Sequence, residues 1–285
     1  MARIFLLLFI SIGCTHIVPV VHQEISRPHT DWIHSTKPIK AVAVTLHGLN
    51  MTTETMRDVG IFLANDGVKV LNVSLAGHRG TAEDFYKADR DLWLNECFIA
   101  YKQARNEANK LKVPLYFVGY SLGALVYPDL VSDPRYPHVR FDKMVLIAPP
   151  FATHQYTKLI LPFSVLGEEL VLPSTNLQEY RSNNGIPIVA FHAMFASQNA
   201  LKEHRYKHLN IPILILIHPG DELVSPRQIR KIIHQYHLMH WHIETVDNSE
   251  SLLFPHYAHL IIDETSMGKS EWARVTKLIA KHFNL

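Results

Sequence analysis

An α/β fold is what the sequence predicts: a mostly parallel sheet with helices on both faces and an inserted helical cap. Three observations carry it. Strand-length runs that are almost wholly apolar alternate with helical stretches, which is the pattern of parallel strands covered on both sides. The alternation fails over residues 151–210 and resumes at Ile211. Several apolar runs lead straight into turns bearing Ser, Asp or His-Gly, as happens when a site lies at the carboxyl ends of parallel strands.

The chain has 285 residues and is 47% hydrophobic, enough for one large domain with an insertion. A formal charge of +2 with no long basic run gives nucleic-acid binding little support. The first fourteen residues are read as a signal rather than as fold. Arg3 precedes an apolar run over residues 4–12 that is too short to span a bilayer, and Gly13-Cys14 follows. This stretch also resembles a bacterial lipoprotein signal, which implies export to the cell envelope and membrane association through a lipidated Cys14. Ser11 departs from that pattern, because an aliphatic residue is usual three positions before the cysteine. The only other cysteine, Cys97, is flanked by Leu94 and Phe98 and reads as a core residue.

Residues 15–39 carry three prolines among polar residues and are read as a tether and edge segment. The core is expected over 40–150 and 211–285. Strands are expected at 40–46, 68–75, 141–147, 211–217 and 241–246, with one more in the apolar run that starts at Val113 and leads into the glycine-flanked serine, and helices at 56–66, 88–111, 226–236 and 270–283. The cap is expected over 151–210, with scattered apolar groups and no strand pair. Its apolar cluster of Leu159, Ile160, Leu161, Phe163, Val165 and Leu166 suits an acyl chain, or the cap's own core.

The chain is organised around Gly119-Tyr120-Ser121-Leu122-Gly123, set between an apolar run and a helical stretch. A sharp strand-to-helix turn of this composition lifts a serine hydroxyl beside a helix N-terminus, where free N–H groups can hold an oxyanion. Pro128 is expected to kink or end the following helix. Acyl transfer also needs a base and an acid. Asp221, in the turn Gly220-Asp221-Glu222-Leu223-Val224, is the candidate acid; Glu222 is its rival and is read as solvated. The base lies in the loop holding His256 and His259. His259 is preferred because Leu260-Ile261-Ile262 can anchor it, and His256 is the alternative. After the first strand, His47-Gly48 suggests that the N–H of Leu49, with that of Leu122, meets the developing charge; His47 itself reads as structural. Residues 77–80 are assigned no chemistry. No metal is expected: among 19 histidines the spacings of His204, His208, His234, His237 and His240 are unremarkable, and no His-Glu-x-x-His pattern or cysteine pair occurs.

Taken in order, His47-Gly48, the 119–123 motif, the Asp221 turn and the His259 loop resemble the α/β-hydrolase superfamily over residues 40–285. The insertion is similar to the lid of the monoacylglycerol lipase, lysophospholipase and carboxylesterase branch. The resemblance implies a serine hydrolase that forms an acyl-enzyme on Ser121, needs no cofactor and cleaves a small-molecule or lipid ester. Two other readings stay open: a non-catalytic envelope- or lipid-binding module on the same scaffold, and a peptidase or acyltransferase using the same three residues.

Overall fold

The computed structural model describes residues 27–79, 82–157, 159, 167, 170–251 and 257–285. Seven strands form the main sheet: β1 (His29–Ile33), β2 (Ala41–Leu46), β3 (Val68–Ser74), β4 (Leu115–Tyr120), β5 (Lys143–Ile147), then β8 (Ile213–Ile217) and β9 (Trp241–Thr245). Their spatial order is β1-β3-β2-β4-β5-β8-β9, with only β1 antiparallel. From β2 the chain moves outward to β3, then returns across β2 to β4. That reversal makes a crevice at the carboxyl ends of β2 and β4, the usual position of a ligand in open α/β sheets.

Along each strand the side chains alternate between two apolar layers. Val42, Val44 and Leu46 join Leu115 and Phe117 on one face. Ala41 and Ala43 join Tyr116, Val118 and Tyr120 on the other. The first face is covered by α3 (Arg90–Leu111), α4 (Gly123–Ser132), α5 (Ile188–Glu203) and α6 (Pro226–Gln235); the second by α1 (Arg57–Asn65) and α8 (Lys269–Phe283). Local chemistry sets the helix ends. The Asp89 carboxylate accepts the N–H groups of Asp91 and Leu92 to start α3, and Ser225 with Pro226 starts α6. Two short helices, α2 (Ala82–Tyr86) and α7 (Glu264–Met267), were not foreseen.

Two expectations are corrected. Of the kink or end expected at Pro128, the end does not occur: α4 runs four residues further, with every residue from Gly123 to Ser132 buried. Proline forfeits one intrahelical bond, and burial of the whole helix outweighs that loss. Within 151–210, a strand pair does form, β6 (Val171–Pro173) with β7 (Gly185–Pro187). Its three-residue strands are too short to leave a period in the sequence. The later part of the segment, α5, packs against α4 and α3 beside the sheet. Of the apolar cluster, Leu159 is exposed, and the other five residues lie outside the described residues. Cys14 and His256 also lie outside them.

Candidate active site

Ser121 follows β4 with φ +47°. A non-glycine residue held in the left-handed region costs about 1–3 kcal/mol, so the surroundings must impose it. They do so from two sides. The Ser121 N–H bonds the carbonyl of Ile147 on β5 (2.8 Å), and the Gly123 N–H bonds that of His47 after β2 (3.0 Å). Gly123 has no alternative at its position, since a Cβ there would sit 2.3 Å from the Leu46 carbonyl oxygen. The elbow, the end of β2 and the end of β5 are therefore locked together before any side chain is considered.

The three side chains expected to meet do so. Ser121 Oγ lies 2.9 Å from His259 Nε2. His259 Nδ1 lies 2.9 Å from Asp221 Oδ2 and 3.1 Å from Oδ1. Asp221 is buried, and its Oδ1 also accepts the N–H groups of Leu223 (2.9 Å) and Val224 (2.8 Å), so the turn that follows β8 aims its own carboxylate. With Asp221 as acceptor, Nδ1 carries the proton and Nε2 is left bare toward the serine hydroxyl. That is the tautomer a general base requires.

Glu222 is not solvated as the sequence suggested. It is half-buried, and its Oε2 accepts the backbone N–H of His259 at 2.9 Å. Tyr120 donates its hydroxyl to the His259 carbonyl (3.1 Å). His259 is thus held by its ring, its N–H and its C=O, each from a different residue. Asp221 is braced in turn: His154 Nε2 donates to the Asp221 carbonyl (3.1 Å), and Thr153 bridges to Val224. None of Glu222, Tyr120 or His154 was singled out from the sequence for these tasks. A turn-forming acid, a strand tyrosine and one of many histidines carry no distinguishing local signal.

Leu122 caps α4 at its N-terminus, and Leu49 lies in the loop after β2. Neither N–H has a hydrogen-bond partner among the described residues. Peptide planarity aims the Leu49 N–H. The Gly48 carbonyl at the other end of the same plane accepts both His47 Nδ1–H (2.8 Å) and the Met51 N–H (3.2 Å). The Leu49 N–H must then point the opposite way. His47 is fully buried, and its Nε2 accepts the Leu75 N–H (3.3 Å). Burial pushes its pKa down to about 4, so it stays neutral and keeps this donor and acceptor arrangement at neutral pH. His47 therefore has the structural task expected of it, acting on the orientation of a neighbouring peptide.

Next to His259, a cavity of about 260 Å³ is walled by Met51, Leu177, Leu223 and Leu260, with Tyr180 and Tyr257 and the polar groups of Asn176 and Glu222. Apolar walls with few polar groups suit the uncharged part of an organic ligand. Among the described residues, one set of possible metal-ligand atoms converges: Asp129, Asp133 and His204, within 4.8 Å of one another. Arg90 and Arg135 already bind those carboxylates at 2.7–3.2 Å, so the cluster fits an ion-pair network better than a cation site. The other tempting histidines form no such set among the described residues. Cys97 is fully buried, and burial holds its thiol well above the usual range.

Residues 37–265 match the family model Hydrolase_4, described as serine aminopeptidase, S33. No curated protein matches the chain in sequence. The chain is similar to a solved structure described under LipS and LipT, two metagenome-derived lipolytic enzymes, at 15% identity and a TM-score of 0.70, covering 90% of this chain and 98% of that one. It is also similar to a soluble variant of monoglyceride lipase from Saccharomyces cerevisiae in complex with a substrate analog, at 11% identity and a TM-score of 0.68, covering 89% and 91%. A third likeness is to Est1E from Butyrivibrio proteoclasticus with ferulic acid bound, at 15% identity and a TM-score of 0.59, covering 90% and 94%. At these identities the likeness is one of fold, the α/β-hydrolase fold.

Proposed function

The chain belongs to the Hydrolase_4 (serine aminopeptidase, S33) family, and on that premise we propose that it is a serine hydrolase cleaving carboxylic esters through an acyl-enzyme on Ser121. The observation that carries the proposal is the continuous relay from Ser121 Oγ to His259 Nε2 (2.9 Å) and from His259 Nδ1 to Asp221 Oδ2 (2.9 Å). As Oγ attacks the ester carbonyl, Nε2 takes its proton, and the Asp221 carboxylate stabilises the imidazolium that forms. The carbonyl oxygen becomes an oxyanion facing the N–H groups of Leu49 and Leu122. Each such donor supports the transition state by about 3–4 kcal/mol. The imidazolium then protonates the leaving alcohol. A water, deprotonated by the same nitrogen, attacks the acyl-enzyme and releases the acid.

The apolar walls of the cavity beside His259 support an ester with an uncharged chain, and lipolytic enzymes among the similar structures agree with a lipid-like substrate. The signal-like first fourteen residues support an exported enzyme, held at a membrane by a lipid on Cys14. An unmodified Cys14 in the mature protein, read by mass spectrometry, overturns the anchor without touching the chemistry.

Labelling by a fluorophosphonate, followed by a panel of nitrophenyl esters of increasing chain length, tests the proposal. The wild type is labelled and turns over esters; Ser121→Ala takes no label and loses about 10⁴-fold or more in kcat. An unlabelled wild type favours the non-catalytic binding module. The family description supports a second reading, a peptidase on the same three residues. Cleavage of aminoacyl nitroanilides faster than of the matching esters favours that one.

A further inference from the structure

Asn50 is fully buried in the loop that carries the Leu49 N–H, and its carboxamide is saturated by one distant segment. Its Nδ2 donates to Ser174 Oγ (2.9 Å) and to the Asn183 carbonyl (2.8 Å). Its Oδ1 accepts Ser182 Oγ–H (2.9 Å) and the Asn183 N–H (2.9 Å). Two donors and two lone pairs are all that an amide side chain offers. The backbone continues the seam. The Asn50 carbonyl accepts the Ser182 N–H (3.0 Å), and the Thr52 N–H donates to the Tyr180 carbonyl (3.0 Å). Asn176 Nδ2 bonds the carbonyls of Leu49 (2.9 Å) and Asn50 (3.2 Å). Asn50 also sits at φ +56°, in the left-handed region that asparagine tolerates better than most residues.

We propose that Asn50 is a positioning residue that makes the seating of residues 174–183 and the aim of the Leu49 N–H one structural unit, so that this segment is a fixed wall of the active site rather than a lid. The proposal rests on the acyl-enzyme reading above. The chain of causes is short. The Gly48 carbonyl that orients the Leu49 N–H is held in part by the Met51 N–H, and Met51 bridges to Arg181 within the same seam. Lifting 174–183 would strip Asn50 of all its side-chain partners at once. A buried amide left unpaired costs about 1–3 kcal/mol per group, enough to let the loop abandon its left-handed turn. The bond that aims the oxyanion donor goes with it. The same segment contributes Thr175, Asn176, Leu177 and Tyr180 to the cavity beside His259, so one seam fixes both a substrate wall and a transition-state donor.

The test is Asn50→Gly, which tolerates the positive φ and deletes only the side-chain bonds, beside Ser174→Ala and Ser182→Ala, which remove the two hydroxyls bonded to the Asn50 amide from the opposite bank. On a nitrophenyl ester, Asn50→Gly lowers kcat about 10- to 100-fold and changes KM by much less, because an oxyanion donor acts in the transition state. Affinity for a trifluoromethyl ketone, whose adduct on Ser121 carries the oxyanion, falls by the same factor. Ser174→Ala and Ser182→Ala move both quantities in the same direction by less, and hydrogen exchange rises together in 49–51 and 174–183. Variants that lose thermal stability but keep wild-type kcat and inhibitor affinity overturn the proposal. If Asn50→Gly does not fold, the two bank variants give the same reading. A wild type that hydrolyses no ester and takes no label overturns the hydrolase reading itself, and this inference with it.

Discussion

Glu222 and His259 are joined by a 2.9 Å bond from the backbone N–H of the histidine to the carboxylate of the glutamate, while the adjacent Asp221 binds the same histidine through its ring. Two consecutive acids thus divide the work, one holding the imidazole and the other the backbone that carries it. The arrangement predicts that Glu222 matters as an acceptor. Glu222→Gln keeps an oxygen in place and retains kcat within a few-fold. Glu222→Ala leaves the N–H unpaired, lowers kcat about tenfold and costs about 1–3 kcal/mol of stability. Ester turnover and urea denaturation of the two variants check this; equal losses would make the charge the active feature.

His259→Ala is expected to lower kcat by about 10⁴-fold or more, because it removes the imidazole bonded to both Ser121 and Asp221. His256→Ala is expected to keep most of the activity. The pair of variants, assayed on one nitrophenyl ester, separates the two histidines that the sequence left in competition.

Gly123→Ala is expected to be among the most damaging small substitutions in the chain. The added carbon meets the Leu46 carbonyl oxygen at 2.3 Å and the His47 carbonyl oxygen at 2.8 Å, and both are backbone atoms that cannot swing aside. Relief requires separating β2 from the elbow, which breaks the Gly123 N–H bond to His47. A loss of about 3 kcal/mol is expected, with activity falling further than stability because Ser121 and Leu49 move apart.

The sheet and the three relay residues were legible because each has a local signature. Strands such as Ala41–Leu46 and Ile213–Ile217 are buried throughout and almost wholly apolar since both faces are covered, and a glycine-flanked serine marks a turn that only small neighbours permit. What holds the relay in place was not legible, because it depends on meetings between distant segments. Nothing in the local sequence marks Asn50 or Asn183, and Glu222 reads as solvated, until the fold brings 133 residues of separation to one bond in the first case and 37 in the second. The β6–β7 pair escaped for a different reason, its strands being shorter than any alternation can reveal.

Acid is expected to weaken the fold well before the carboxylates titrate, through buried histidines kept neutral. Burial lowers His47 to about 4, burial and the nearby Lys143 lower His282 to about 4, and burial with the neighbouring His47 holds His78 well below the usual range. The folded pKa lies below the unfolded one in each case, so as pH falls through about 6.5 the unfolded chain takes up protons first. Stability from these groups is complete above that pH and drains toward pH 4, with a ceiling of about 3 kcal/mol for the fully buried His47. His282 is partly exposed and contributes less. Asp129, raised by burial, acts in the opposite sense as pH approaches the carboxylate range, and Asp133, lowered by Arg135 and Arg90, adds loss only below it. Urea denaturation at intervals from pH 7.5 to 4 should show stability falling steadily below pH 6.5. His282→Gln, which cannot titrate, should flatten that slope while matching the wild type less closely at neutral pH. Parallel curves for the two proteins would mean that His282 takes up its proton as readily in the folded chain as in the unfolded one.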